Sequence, residues 1–267
     1  MTGSNNKTAL ITGATSGIGA VFAEKFAARG YELIITGRRK DLIEKTADNI
    51  RTNYNIDVTV IIAELSDDND IDSLVSTIKD TENLEILINN AGFGKKNNFL
   101  EEDITTHEKM LKVHCLATMK LTYAALPVMI KNKKGTIINV SSIAGLFPLP
   151  KSPVYSATKS FINIFSESIH LELKGTGVRI QALCPGMTRT DFHTRIGLEE
   201  SEVYKDKGLR KAMSAEEVVE ESLKCLKKNK VICIPGSNNK FISILPRILT
   251  KSQIYKILQK SASAVEK

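Results

Sequence analysis

Short apolar runs alternate along this chain with longer amphipathic stretches. Ala9–Ile11, Leu33–Ile35, Val58–Ile62, Ile86–Ile88, Ile137–Val140, Ile180–Leu183 and Val231–Ile234 are brief and rich in β-branched residues. Runs apolar on both faces are what parallel strands need when helices cover both sides of a sheet. Helix-length patterns lie between them, at Val21–Ala28, Asp41–Ile50, Ile71–Lys79, Thr105–Lys131 and Val154–Leu173. The alternation predicts an α/β protein, a single domain over 1–267 built on a doubly wound parallel sheet.

In such a sheet the ligand crevice lies beyond the carboxyl ends of the strands, where strand order reverses. Polar signals directly follow five of the apolar runs, at Thr12–Gly19, Gly37–Arg39, Asn89–Gly92, Ser141–Ser142 and Pro185–Thr190. The first reads Thr12-Gly13-Ala14-Thr15-Ser16-Gly17-Ile18-Gly19 and opens a helix. Glycines tolerate positive φ and let backbone N–H groups approach a pyrophosphate, while the helix dipole favours negative charge. By itself the turn is also compatible with an ordinary strand–helix corner.

Composition narrows the field. No Pro- or Ser-rich linker divides the 267 residues, and the 42% hydrophobic content suffices for one large core. The short polar start, Met1–Lys7, and the absence of an obvious spanning run lead us to expect a soluble, cytoplasmic protein. Cys115, Cys184, Cys225 and Cys233 are too scattered for a disulfide framework or a zinc site, so no metal is expected. The net charge of +7 is interspersed with acidic residues and lacks a basic block interleaved with aromatics, which argues against nucleic acid.

Tyr155 and Lys159 are four residues apart and share a helix face. A phenol with a pKa of about 10 is a poor proton donor at neutral pH, but a neighbouring ammonium lowers that value. Ser142, at a strand end, can donate its hydroxyl to a substrate carbonyl oxygen. The three would form a proton-transfer site; the plainer reading is a packed Tyr beside a solvated Lys.

With these residues in order, the chain resembles the short-chain dehydrogenase/reductase family, whose patterns T-G-x-x-x-G-x-G, N-N-A-G, a strand-end Ser and Y-x-x-x-K match Thr12–Gly19, Asn89–Gly92, Ser142 and Tyr155/Lys159. The resemblance covers nearly the whole chain and leans toward long-chain ketoacyl and hydroxysteroid reductases. It implies a Rossmann fold in which Tyr155 exchanges a proton with the substrate oxygen, Ser142 orients that oxygen and Lys159 also holds the nicotinamide ribose. Hydride moves between substrate carbon and cofactor. It places the cofactor against Gly13, Thr15, Ser16, Gly17, Ile18, Gly19, Asn90, Ala91 and Gly92, and against Pro185, Gly186, Thr188 and Thr190 on the nicotinamide side. One departure stands out: where the family has Asn after Val in the helix before Ser142, this chain has His114. An imidazole can carry a proton relay near neutral pH, and equally can sit buried and hydrogen-bonded to backbone.

NAD-selective sites present a carboxylate to the ribose 2′-hydroxyl about 20 residues after the glycine turn. This chain has Thr36-Gly37-Arg38-Arg39 there, and a guanidinium suits a 2′-phosphate, so NADP(H) is expected, held by Arg38. Arg39 is assigned to adenine stacking or to solvent, and Glu64 with Leu65 to the adenine edge. A plain surface Arg pair is the alternative.

A substrate lid is expected over about 187–212, with Phe192, Ile196, Leu198, Val203, Tyr204 and Leu209, and Leu146, Phe147 and Leu149 add to a lipophilic pocket with few polar groups. The expected substrate is a small lipophilic carbonyl compound or alcohol, such as a steroid, bile acid or acyl chain. A membrane-associated reductase of lipid metabolism and a non-catalytic dinucleotide sensor are the competing functions. An amphipathic segment over about 238–260 carries Phe241, Ile244, Leu245, Ile248 and Leu249 among Lys240, Arg247, Lys251 and Lys256. Its stripe is expected to pack on the domain or on a second subunit of a homo-oligomer, with pocket closure and contact with an anionic membrane surface as alternatives.

Overall fold

A computed structural model of the protein describes residues 7–194 and 212–263. Its strands are β1 (Thr8–Thr12), β2 (Glu32–Gly37), β3 (Val58–Ile62), β4 (Leu84–Asn89), β5 (Gly135–Val140), β6 (Val178–Leu183), β7 (Thr188–Arg189), β8 (Met213–Ser214) and β9 (Ile232–Cys233). Seven form one parallel sheet in the order β3-β2-β1-β4-β5-β6-β9, while β7 and β8 pair separately. The helices are α1 (Gly17–Ala27), α2 (Lys40–Tyr54), α3 (Asp68–Asp80), α4 (Ile104–Leu111), α5 (Ala117–Lys131), α6 (Pro153–Glu172), α7 (Asp191–Thr194), α8 (Ala215–Lys227), α9 (Ser237–Ile248) and α10 (Lys251–Ser263).

The apolar runs supply two cores because successive strand residues point to opposite faces. Ala9, Ile11, Leu33, Ile35, Ile86, Ile88 and Ile138 meet Phe22, Ile43, Ile50 and Val219 of α1, α2 and α8 on one face. Leu10, Ile34, Leu87 and Ile137 meet Ile71, Leu74, Ile78 and Leu121 of α3 and α5 on the other. This is the doubly wound arrangement that the pattern predicts. Strand order reverses between β1 and β4, which opens a crevice at their carboxyl ends.

Three expectations need amendment. The helix read as Thr105–Lys131 is interrupted by a π-helical turn, Lys112–Leu116, which widens it around His114. The combined stretch Ile104–Lys131 is also long and apolar enough to cross a bilayer, although Lys112, His114 and Lys120 punctuate its apolar run. Half of its apolar window is buried inside the domain. Last, the C-terminal stripe is covered only in part: Leu245 and Leu249 are half-buried, while Phe241, Ile244 and Ile248 stand exposed on α9.

Candidate active site

The glycine turn is braced from β4. Thr12 ends β1, and its hydroxyl accepts the amides of Asn90 and Ala91 at 3.0 Å each. The Asn90 side-chain amide donates to the carbonyls of Thr12 at 2.9 Å and Gly13 at 3.0 Å. Gly13 and Gly17 take φ of +67° and +59°, and a Cβ on Gly13 would lie 2.9 Å from Ala91 Cα, so the turn requires glycine on two counts. Gly19 leaves room for the Asn90 side chain. α1 starts here without an acidic residue in its first turn, so its N-terminal field is open to an anion.

Ser16 is the N-cap of α1, and Gly17 and Ile18 open its first turn at the carboxyl end of β1, where the expected cofactor contacts were placed. The polar groups of Asn90 are instead directed to β1, which makes this residue a support for the turn. Gly92 lies against the His114 ring, with room for no Cβ beyond 3.0 Å from Nε2.

At the end of β2, exposed Arg38 forms an ion pair with Glu64 at 3.0 Å. Burial alone would raise the Glu64 carboxyl, but the hydrogen bond and charge of Arg38, with the Ser66 amide, hold it below its ordinary range. Glu64 thus faces the guanidinium expected to take a phosphate. Leu65 points into the core beside Ile71 and Leu74, so its side chain is not placed for the adenine contact expected of it. Arg39 has a partner that neither sequence assignment named: its guanidinium donates to the Thr15 hydroxyl at 2.7 Å, tying β2 to the glycine turn.

Ser142, Tyr155 and Lys159 converge at the ends of β5 and on the first turns of α6. The Ser142 hydroxyl accepts the Ala144 amide at 3.1 Å and donates to the Pro185 carbonyl at 3.5 Å, and its presence beside Tyr155 lowers the pKa of the phenol. Lys159 is buried, with its ammonium 5.6 Å from the centre of the Tyr155 ring. Nζ donates to the Val140 carbonyl at 2.9 Å, and the Lys159 carbonyl accepts the Ser141 hydroxyl at 3.0 Å. The expected depression of the Tyr155 pKa is not found: burial pushes the phenol up to about 12, against a smaller lowering from Ser142. The same burial brings Lys159 down to about 8. Desolvation here outweighs charge because the ammonium is turned to Val140.

His114 sits in the π turn with both ring nitrogens engaged. Nε2 accepts the Phe93 amide at 3.1 Å, which places the proton on Nδ1, 2.9 Å from the Thr158 hydroxyl. Thr158 in turn donates to the Tyr155 carbonyl at 2.8 Å. Burial first, then the Lys159 charge, drives the imidazole pKa well below its usual value, so the ring is neutral. Of the two sequence readings, the structure favours the hydrogen-bonded one: His114 clasps the segment after Gly92 to the helix bearing Tyr155, and its ring stacks edge-on to Tyr155 at 5.8 Å.

The nicotinamide-side segment closes the crevice. Pro185 accepts the Ile143 amide at 3.0 Å, Thr188 is buried, and Thr190 lies where a Gly17 Cβ would meet its methyl at 2.8 Å. Gly186 is packed against Asn239 of α9. Phe192 of α7 lies 6.0 Å from the Tyr155 ring and belongs to the described part of the expected lid, 187–194 and 212; Ile196, Leu198, Val203, Tyr204 and Leu209 lie outside the described residues. Leu146, Phe147 and Leu149 are half-buried beyond Ser142. A cavity of about 10 Å³ beside Tyr155, too small for more than a water, is lined by Lys95, Glu102, His107 and Lys151 along with Met110 and Val154. A larger depression of about 520 Å³, lined by Glu32, Asp57 and Asp80, opens at the amino ends of the strands, away from this chemistry.

Thr158 and Asn139 escape the sequence reading, and Thr12 and Ser141 entered it only as parts of strand-end signals, although each supports the site. Asn139 receives the Asn89 amide at 2.9 Å and donates to Ser166 at 3.0 Å, linking β4, β5 and α6. Polar residues inside otherwise apolar strands were the available signal, because a buried amide needs partners. Among the described residues, no group of three or more His, Cys, Asp or Glu is placed to hold a metal.

Comparison with known proteins agrees with this geometry. The family model described as short chain dehydrogenase matches residues 7–201. The very-long-chain 3-oxoacyl-CoA reductase of Mus musculus is 33% identical over 186 residues, 68% of this chain and 59% of the relative. The chain therefore spans about three fifths of the length of that relative. A short-chain dehydrogenase from Sphingobium yanoikuyae, solved in complex with NADPH, superposes with a TM-score of 0.80 at 27% identity, covering 97% of this chain and 94% of the other. A structure of a 7beta-hydroxysteroid dehydrogenase gives 0.85 at 25% identity, covering 95% and 96%.

Proposed function

The chain belongs to the short-chain dehydrogenase family, and on that footing we propose that it is an NADP(H)-dependent oxidoreductase interconverting a ketone and a secondary alcohol on a lipophilic substrate. The observation that carries this reading is the Ser142–Tyr155–Lys159 group at the crevice opposite the glycine turn. The residues fit a dinucleotide: the positive-φ glycines leave backbone exposed to a pyrophosphate, and Arg38 offers a guanidinium where a 2′-phosphate would lie. When bound, the nicotinamide supplies or accepts the hydride.

In the reducing direction, the substrate oxygen would take the proton of Tyr155 while the Ser142 hydroxyl donates a hydrogen bond to it. The resulting phenolate is stabilised by Lys159, whose ammonium is already held in the buried site. Tyr155 is then reprotonated from solvent. Half-buried Leu146, Phe147 and Phe192 support a lipophilic body, with Lys95 and Lys151 at its polar edge.

We read the chain as cytoplasmic and homo-oligomeric, the latter supported by exposed Tyr123 on α5 and by Phe161 and Ile164 on α6. The test is a screen of NADPH oxidation across ketosteroids, oxo bile acids, 3-oxoacyl thioesters and small aldehydes. Turnover with a ketosteroid or oxoacyl thioester meets the proposal. Turnover confined to small polar aldehydes overturns the lipophilic reading, and tight NADPH binding without turnover of any of these points to the dinucleotide sensor.

A further inference from the structure

The C-terminal helices carry a face that the proposed chemistry does not use. On α9, Phe241, Ile244 and Ile248 recur at intervals of three and four residues and are 55%, 46% and 73% exposed. Tyr255 on α10 is exposed as well. Around this stripe, residues 237–263 contain Lys240, Arg247, Lys251, Lys256 and Lys260 and no Asp or Glu. Those five cations compare with a net charge of +7 for the whole chain, so most of the excess sits in one segment. Lys240 is paired with Glu221 at 3.3 Å, whereas Lys251 and Lys256 are exposed.

We propose that the α9–α10 face docks on an anionic lipid surface. An apolar stripe bordered by cations matches a bilayer interface, with the side chains entering the acyl boundary and the lysines meeting acidic headgroups. A second copy is a poorer occupant: a symmetric contact would bring two cationic segments together, and the neighbouring carboxylate of Glu221 is already paired with Lys240. Attachment would also orient the enzyme. Asn239, buried at the start of α9, donates to the Pro235 carbonyl at 2.7 Å and packs on Gly186, so the docked helix grows from the wall of the crevice. A lipophilic substrate dissolved in the bilayer then meets the site at its own edge.

The test uses the full chain in co-sedimentation with phosphatidylcholine vesicles, with and without phosphatidylglycerol. Binding is expected with phosphatidylglycerol and at least about tenfold less without it. Lys251→Gln with Lys256→Gln should weaken binding to the anionic vesicles by about 30-fold, since each surface lysine contributes roughly a fivefold factor. Phe241→Ser with Ile244→Ser should reduce it further, and both variants should keep wild-type circular dichroism and turnover of a water-soluble ketone. Equal binding to both vesicle types, or none to either, overturns the proposal. So does a wild-type dimer that the Phe241/Ile244 variant converts to monomer without lipid, which would assign the face to a second copy. Binding is read independently of turnover, so failure here leaves the reductase reading standing.

Discussion

Glu64 holds Arg38 by an ion pair of 3.0 Å at the end of β2. A 2′-phosphate arriving there would exchange one anionic partner of Arg38 for another, and Glu64 becomes the like charge it must displace.

Arg38→Ala should therefore remove most of the preference for NADPH over NADH, because the lost charge-assisted bonds reach only the 2′-phosphate. Glu64→Gln should tighten NADPH severalfold and leave NADH nearly unchanged. Dissociation constants for both cofactors with each variant check this. An equal loss for NADPH and NADH in Arg38→Ala would give Arg38 a structural role instead.

Tyr155→Phe should lower turnover by about 10²–10⁴, the usual range for loss of a positioned proton donor. The ring contacts with His114 and Phe192 need no hydroxyl, so the fold and cofactor binding should persist. Single-turnover kinetics together with cofactor titration separate the two. Near-normal turnover in the folded variant would remove Tyr155 from the mechanism.

Lys159 should give stability an unusual pH dependence. Its folded-state pKa, about 8, lies below the ordinary lysine value, so between the two the unfolded chain binds more protons than the folded one. Stability should thus rise with pH across that window, by an amount on the order of 3 kcal/mol if the group titrates alone. Urea denaturation at about pH 7.5 and about pH 9.5 should show the rise in the wild type and a smaller one in Lys159→Met. A wild-type slope of the opposite sign counts against a desolvated ammonium.

For His114, the two engaged nitrogens predict a positioning role. His114→Leu leaves the half-buried Phe93 amide without that partner and the Thr158 hydroxyl with the Tyr155 carbonyl alone, and should cost about 1–3 kcal/mol of stability along with turnover. His114→Asn, which can satisfy one of the two, should fall between. The pH profile of turnover should keep its shape in both. A Leu variant of full stability with a displaced pH profile would restore the ring to the proton path.

Much of the fold was legible because both-faces-apolar strands and amphipathic helices alternate without interruption, and Ile11 and Leu10 show the two cores in adjacent residues. The catalytic group was legible because Tyr155 and Lys159 need only helical spacing to share a face. What sequence could not supply was partnership across elements. Nothing local to Arg39 announces Thr15, and nothing local to His114 announces the Phe93 amide. The Tyr155 acidity failed for a related reason: proximity to a lysine is readable from spacing, but the direction of its ammonium and the depth of burial are not.

The strand order also governs how the molecule is made. β1, the first strand to be synthesised, ends in the middle of the sheet, with β2 on one edge and β4 on the other. During synthesis β2 emerges early, but the second edge stays open until Leu84–Asn89 has been added, leaving Leu10 and Ile11 short of half their neighbours. Asn90 and Ala91, which fasten the glycine turn to β1, follow only then. The glycine turn after β1 is thus among the later parts to become rigid, and a nascent chain halted before β4 presents an unpaired apolar strand edge of the kind that chaperones protect.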